Sequence, residues 1–230
     1  TLVFGISLLA VRGGFDVGRR RIALVSALTI VALGLGAVLV ADGWLSRLDA
    51  ILLLAAWLVF TAISWRFSPP LSDPVTPIPT HHRAYHALAA LGFLLLVAVG
   101  AGAVVKAVIE LSTLLGIPEY VISFFGSSLG TSLPELTVVL TAMLRGKRDL
   151  AIGDVIGACL IDSTLSVAAG PLIAPTAVTA AFAVRGAIIA IAMVALATAV
   201  VALRRHDDKW TGVWLLLLYA AAYPALLLAS

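Results

Sequence analysis

Charge is scarce in this sequence. Only 12% of its 230 residues are Asp, Glu, Lys or Arg, against 62% hydrophobic residues, and the mean hydropathy is +1.12. A soluble domain of this length has no interior large enough to hide that much apolar surface. Cysteine is nearly absent as well. The single Cys159 permits no internal disulfide and excludes a cysteine-rich metal site. Four histidines, His81, His82, His86 and His206, sit at polar connections and show no ligand spacing on a helix. The net charge of +3 does not point to nucleic acid, because the basic residues are confined to short connections between apolar runs.

Those runs are what the sequence has in abundance. A spanning helix needs roughly 20 apolar residues to cross the hydrocarbon core. Full spans are expected at about 22–41, 48–65, 84–115, 120–144, 150–173, 182–203 and 212–229. Thr1–Val11 is apolar but too short to span, and reads as the stump of a helix. Helices are expected because lipid satisfies no open backbone group, and the period-2 alternation of a barrel strand is missing. The fold class is therefore an all-α polytopic membrane protein, whose first partner is the bilayer.

The basic residues also orient it. Arg12, Arg19, Arg20, Arg21, Arg66, Arg83, Arg145, Lys147, Arg148, Arg204, Arg205 and Lys209 all lie at alternate connections, leaving only three others among the 15. Those connections are expected on the cytoplasmic side, which puts the C-terminus outside. The third connection carries Pro69, Pro70, Pro74, Pro77 and Pro79 and reads as an extended linker. Thr1–Ala10 weakly resembles Thr164–Ala174, and two apolar spans follow each copy. The expected organisation is a first half at 1–66, a linker at 67–83 and a second half at 84–230, the halves being inverted in the membrane.

The chemistry is concentrated in Gly126–Glu135, Gly-Ser-Ser-Leu-Gly-Thr-Ser-Leu-Pro-Glu. Gly126, Gly130 and Pro134 are expected to break the helix in mid-membrane, which would free carbonyl groups beside the Thr131 and Ser132 hydroxyls. Together with the Glu135 carboxylate these are oxygen ligands of the kind hard cations prefer. An ionisable group at that depth suggests function by itself. Asp154, Ala158 and Asp162 follow at spacings of four, on one face of the next helix. Asp162 is the expected partner of Glu135, since two carboxylates in one site need a cation or proton between them. Asp154 is read as either an interfacial group or a ligand. Gly153 and Gly157 form a GxxxG pair that would admit a close helix neighbour. Gly126–Gly130 also fits the GxSxG pattern of hydrolases around Ser128, but no histidine base lies at membrane depth, so no enzyme is expected.

Gly130–Leu136, GTSLPEL, and Gly153–Asp162, GDVIGACLID, with Asp162 27 positions after Glu135, resemble the second α-repeat of the cation/Ca²⁺ exchanger superfamily. The resemblance implies a ten-helix inverted-repeat antiporter fold with both termini outside, in the inner or plasma membrane. It implies exchange of Ca²⁺ for Na⁺ or H⁺ by alternating access, with no cofactor and with 84–115 as a gating helix. By position, Glu135 would ligate both Ca²⁺ and Na⁺, and Thr131 would give its carbonyl to Ca²⁺. Thr131, Ser132 and the Ser128 carbonyl would serve Na⁺, and Asp162 would line the central position. Two departures stand out. The superfamily's usual Gly-Ser-Asn is here Gly157-Ala158-Cys159, so one serine ligand for Na⁺ is missing. The first α-repeat, needed to complete the site, is also missing from this chain. Ca²⁺/Na⁺ exchange is the leading expectation, H⁺/Ca²⁺ or another cation/H⁺ antiport the second. A non-transporting membrane scaffold or assembly subunit is the reading from another class.

Overall fold

A computed structural model describes residues 2–10, 19–67, 83–117, 122, 128–203 and 209–229. In chain order the elements are α1 (Leu2–Ala10), α2 (Arg19–Leu39), β1 (Trp44–Leu45), α3 (Arg47–Arg66), α4 (Arg83–Leu115) and α5 (Ser128–Leu144). They continue with α6 (Arg148–Ser163), α7 (Leu165–Ile173), β2 (Thr176–Ala177), α8 (Ala180–Leu203) and α9 (Lys209–Ala229). Five helical stretches among the described residues are long and apolar enough to cross a bilayer: 20–39, 47–66, 84–115, 150–173 and 180–203. Most of the proline-rich connection and the first part of the 120–144 span lie outside the described residues.

The chain divides into two compact units, 1–68 with 134–230, and 69–133. The second contains α4, a helix of 33 residues whose side chains are largely exposed. The first holds an arrangement that explains the weak internal repeat. α2 packs along α8, α1 packs along α9, and α7 packs along α3. The matched segments thus form two nine-residue helices, α1 and α7, and each lies against the second full helix that follows the other copy. An inverted repeat places its elements in this reciprocal way. One core gathers Phe4, Leu8, Val139, Ala142, Met143, Ala151, Ile152, Val201 and Leu215, and a second holds Ala50, Leu53 and Ala168.

Two local features fix the α2–α3 connection. Ser46 caps α3, with its Oγ accepting from the Asp49 backbone N–H at 3.2 Å while the Ser46 backbone N–H donates to Asp49 Oδ2 at 2.8 Å. This is a capping box, which satisfies donors that the first helical turn leaves free. Beyond it, β1 pairs antiparallel with β2, Trp44 opposite Ala177 and Leu45 opposite Thr176. Arg47 Nη2 donates to the Ile173 carbonyl at 3.2 Å and ties the same two connections again.

Three sequence expectations are corrected here. Gly130 and Pro134 do not interrupt their helix: α5 runs continuously from Ser128 to Leu144 through both. Pro134 removes one donor near the helix start, which costs the Gly130 carbonyl its partner but leaves the remaining turns intact. Gly126 lies outside the described residues. Among the described residues a break falls in the next span, which bends at Thr164 (φ −133°, ψ −77°) into α6 and α7. The Ser163 hydroxyl donates to the Cys159 carbonyl at 2.8 Å, and the fully buried Thr164 hydroxyl donates to that of Leu160. Such bonding to the preceding turn competes with the helix ladder and bends it. Finally, a Cβ at Gly157 would meet nothing within 4 Å, and one at Gly153 only Arg21 Nη2 at 3.7 Å. Close helix approach occurs at Gly5 and Gly212 instead, where a Cβ on Gly212 would stand 2.8 Å from the Gly5 carbonyl oxygen.

Candidate cation site

Glu135 sits immediately after Pro134 on α5, half-buried, with Oε2 enclosed and without a hydrogen-bond partner. Asp154, on the first half of α6, has the same condition at Oδ2. Asp162 lies two turns further along α6, two residues before the Thr164 bend, and its carboxylate is exposed. The charge of Glu135 acts through space on both Asp154 and Asp162. The structure therefore brings three predicted carboxylates into one electrostatic neighbourhood within the first unit. Asp162 was the expected partner of Glu135; the charge of Glu135 reaches Asp154 as well, and Asp154 shares its enclosure.

Two enclosed carboxylate oxygens with no donor are expensive in a low-dielectric surrounding unless a cation or a proton meets them. The three groups do not close into a cage. Among the described residues no set of three or more acidic, histidine or cysteine side chains is placed to hold a metal ion by itself. The remaining ligands of a hard cation would be oxygens of other kinds, carbonyls, hydroxyls or water. Ser132 is half-buried on α5, Ala158 is half-buried on α6, and the side chains of Ser128 and Thr131 lie outside the described residues.

Sequence reasoning missed two neighbours. Ser166, on the first turn of α7, donates to Asp162 Oδ1 at 3.5 Å across the bend, a contact the 150–173 run conceals because it reads as one helix. Arg21 of α2 brings its guanidinium to the Gly153 end of α6, close to Asp154 in sequence. Its place at the basic start of a span was legible, but its reach to α6 depends on helix packing.

A multi-pass α-helical membrane protein with an inverted-repeat antiporter fold is the class these features define. Residues 85–226 match the sodium/calcium exchanger protein family, and the chain belongs to that family. It is 29% identical to the putative antiporter CaxA of Alkalimonas amylolytica over 216 residues, which cover 88% of this chain and 67% of that one. It is 31% identical to the inner membrane protein YrbG of Escherichia coli K12, covering 70% of this chain and 51% of that one. The sodium/calcium exchanger MaX1 of Methanosarcina acetivorans is 32% identical, over 54% of this chain and 36% of its own length. The chain thus spans between about a third and two thirds of these relatives. Its fold is that of the sodium-calcium exchanger NCX_Mj soaked with Na⁺ and Sr²⁺, at a TM-score of 0.62 and 24% identity, covering 97% of this chain and 71% of that one. The H⁺/Ca²⁺ exchanger CAX is similar at a TM-score of 0.59 and 16% identity, covering 99% and 68%.

Proposed function

We propose that this chain carries half of the transport site of a cation antiporter that exchanges Ca²⁺ for Na⁺. Glu135 is the central ligand, and alternating access exposes it to each side in turn. The observation that carries this reading is the enclosed, unpartnered Oε2 of Glu135 within reach of the charges of Asp154 and Asp162. Ca²⁺ neutralises such a cluster, and monovalent ions compete for the same oxygens. Thr131, Ser132 and Ser128 are proposed to complete the oxygen set from α5, and Asp162 to line the central position. Residues 1–66 and 84–230 are proposed as the inverted halves, joined by 67–83. Membership of the sodium/calcium exchanger family supports the ion class.

The test is uptake of radiolabelled Ca²⁺ into vesicles carrying the intact protein, driven by an outward Na⁺ gradient. Glu135→Gln removes the charge while keeping the shape, and uptake is expected to disappear. Undiminished counterflow in that variant sinks the assignment, and absence of any gradient-driven uptake in the unaltered protein favours a scaffold. One observation favours H⁺ as the second coupling ion: Ala158 has no oxygen where the superfamily offers serine. Uptake driven by a pH gradient alone, indifferent to Na⁺, selects that reading.

A further inference from the structure

Behind the carboxylate-bearing face of α6 lies a cavity of about 140 Å³, bounded by α1, α2, α6, α8 and α9. Its wall is aliphatic and aromatic apart from four neutral groups: Ser26 and Thr29 on α2, Cys159 on α6 and Thr198 on α8. No charged side chain among the described residues borders it. The Thr198 hydroxyl lies 2.7 Å from both the Val194 carbonyl and Ser26 Oγ. A chain of two hydroxyls ending on one carbonyl uses both protons and leaves lone pairs open on Ser26. Thr29 is only 4% exposed, faces the cavity, and makes no hydrogen bond among the described residues. Threonine inside a membrane helix ordinarily donates to the carbonyl one turn back, so an idle, buried Thr29 hydroxyl presents both a donor and an acceptor to the cavity.

Size and polarity then select the occupant. An apolar cavity of about 150 Å³ is large enough to take up benzene. Here one side of a comparable space carries unsatisfied neutral hydroxyl capacity, and a charged ligand would find no counter-charge. We infer that this cavity is a binding site for a small neutral amphiphile, a single ring or short chain bearing one hydroxyl, which bonds to Thr29 and Ser26 while its apolar body fills the aliphatic end. Phenol has the required size and chemistry. The occupant braces α6 against α2 and α8, and its binding is independent of the transported ion.

Cys159 provides the readout, because it is the only cysteine in the chain, is exposed, and borders the cavity. The experiment follows methyl-thiolation of Cys159 by methyl methanethiosulfonate, using intact-mass measurement on the detergent-solubilised protein with and without phenol. Phenol is expected to slow the reaction in a saturable way. Thr29→Val keeps the shape and is expected to raise the half-protecting phenol concentration about tenfold, the loss of one buried hydrogen bond. Ala197→Phe fills the cavity and is expected to slow labelling without phenol. Absence of protection in the unaltered protein, or equal protection in Thr29→Val, overturns the site. Labelling of Ala197→Phe at the unaltered rate does so too, since it places access to Cys159 elsewhere. An increase in the thermal midpoint of the unaltered protein with phenol, absent in Ala197→Phe, checks the result without relying on the thiol.

Discussion

Single oxygens decide most of what this site is able to do. Glu135 Oε2 and Asp154 Oδ2 are enclosed without donors, so the pair is incomplete until a cation or proton arrives. One helical turn from Asp154, Ala158 occupies the middle of the Asp154–Asp162 face and brings only a methyl group. Restoring a hydroxyl there adds a neutral oxygen suited to Na⁺. Ala158→Ser in the intact protein is therefore expected to lower the half-saturating Na⁺ concentration for Ca²⁺ exchange by about fivefold to tenfold, the worth of one added polar contact. Titrating Na⁺ against Ca²⁺ uptake measures it, and an unchanged Na⁺ response argues for H⁺ coupling. Glu135 stood out in the sequence because an acid following a proline in an apolar run has few structural explanations. The enclosure of Asp154 was less legible, because both acids share a helical face and nothing in the spacing shows which of them is enclosed.

At the scale of elements, the sequence indicated where helices run better than where they bend. Proline and glycine are strong local breakers, yet Pro134 near the beginning of α5 loses a single donor and the helix continues. The bend at Thr164 arises instead from hydroxyls bonding backward to Cys159 and Leu160, a preference no composition count displays. Glycine pairs misled for a similar reason. Gly153 and Gly157 have the GxxxG spacing, but the tight contact occurs between Gly5 and Gly212, which lie in different repeats. Membrane helices associate through close van der Waals packing, so a methyl group at that crossing must displace backbone. Gly212→Ala is expected to destabilise the folded chain by about 1–3 kcal/mol through overpacking. Gly157→Ala, with open space at its Cβ, is expected to be near neutral. Thermal unfolding in detergent compares the two, and equal midpoints would falsify the α1–α9 crossing as drawn.

The whole molecule carries its orientation in two kinds of information that check each other. β1 lies in the connection after α2, and β2 in the connection between α7 and α8. Their antiparallel pairing, reinforced by Arg47 on the Ile173 carbonyl, holds those two connections on the same membrane face. That is the parity the charge pattern requires, because neither connection belongs to the basic set that includes Arg145, Lys147, Arg148 and Lys209. Pairing fixes which connections share a side, and the basic residues assign the side. With one crossing each for α8 and α9, the charge pattern expects the end of α9 on the face opposite the basic connections. A C-terminal alkaline phosphatase fusion is therefore expected to be active and a C-terminal green fluorescent protein dark in a bacterial host, with both signals reversed for fusions at Lys147. Matching signals at the two positions would mean that an odd number of crossings has been miscounted between α6 and α9. The span to re-examine first would then be α6 with α7, where a helix broken at Thr164 either crosses as one unit or turns back.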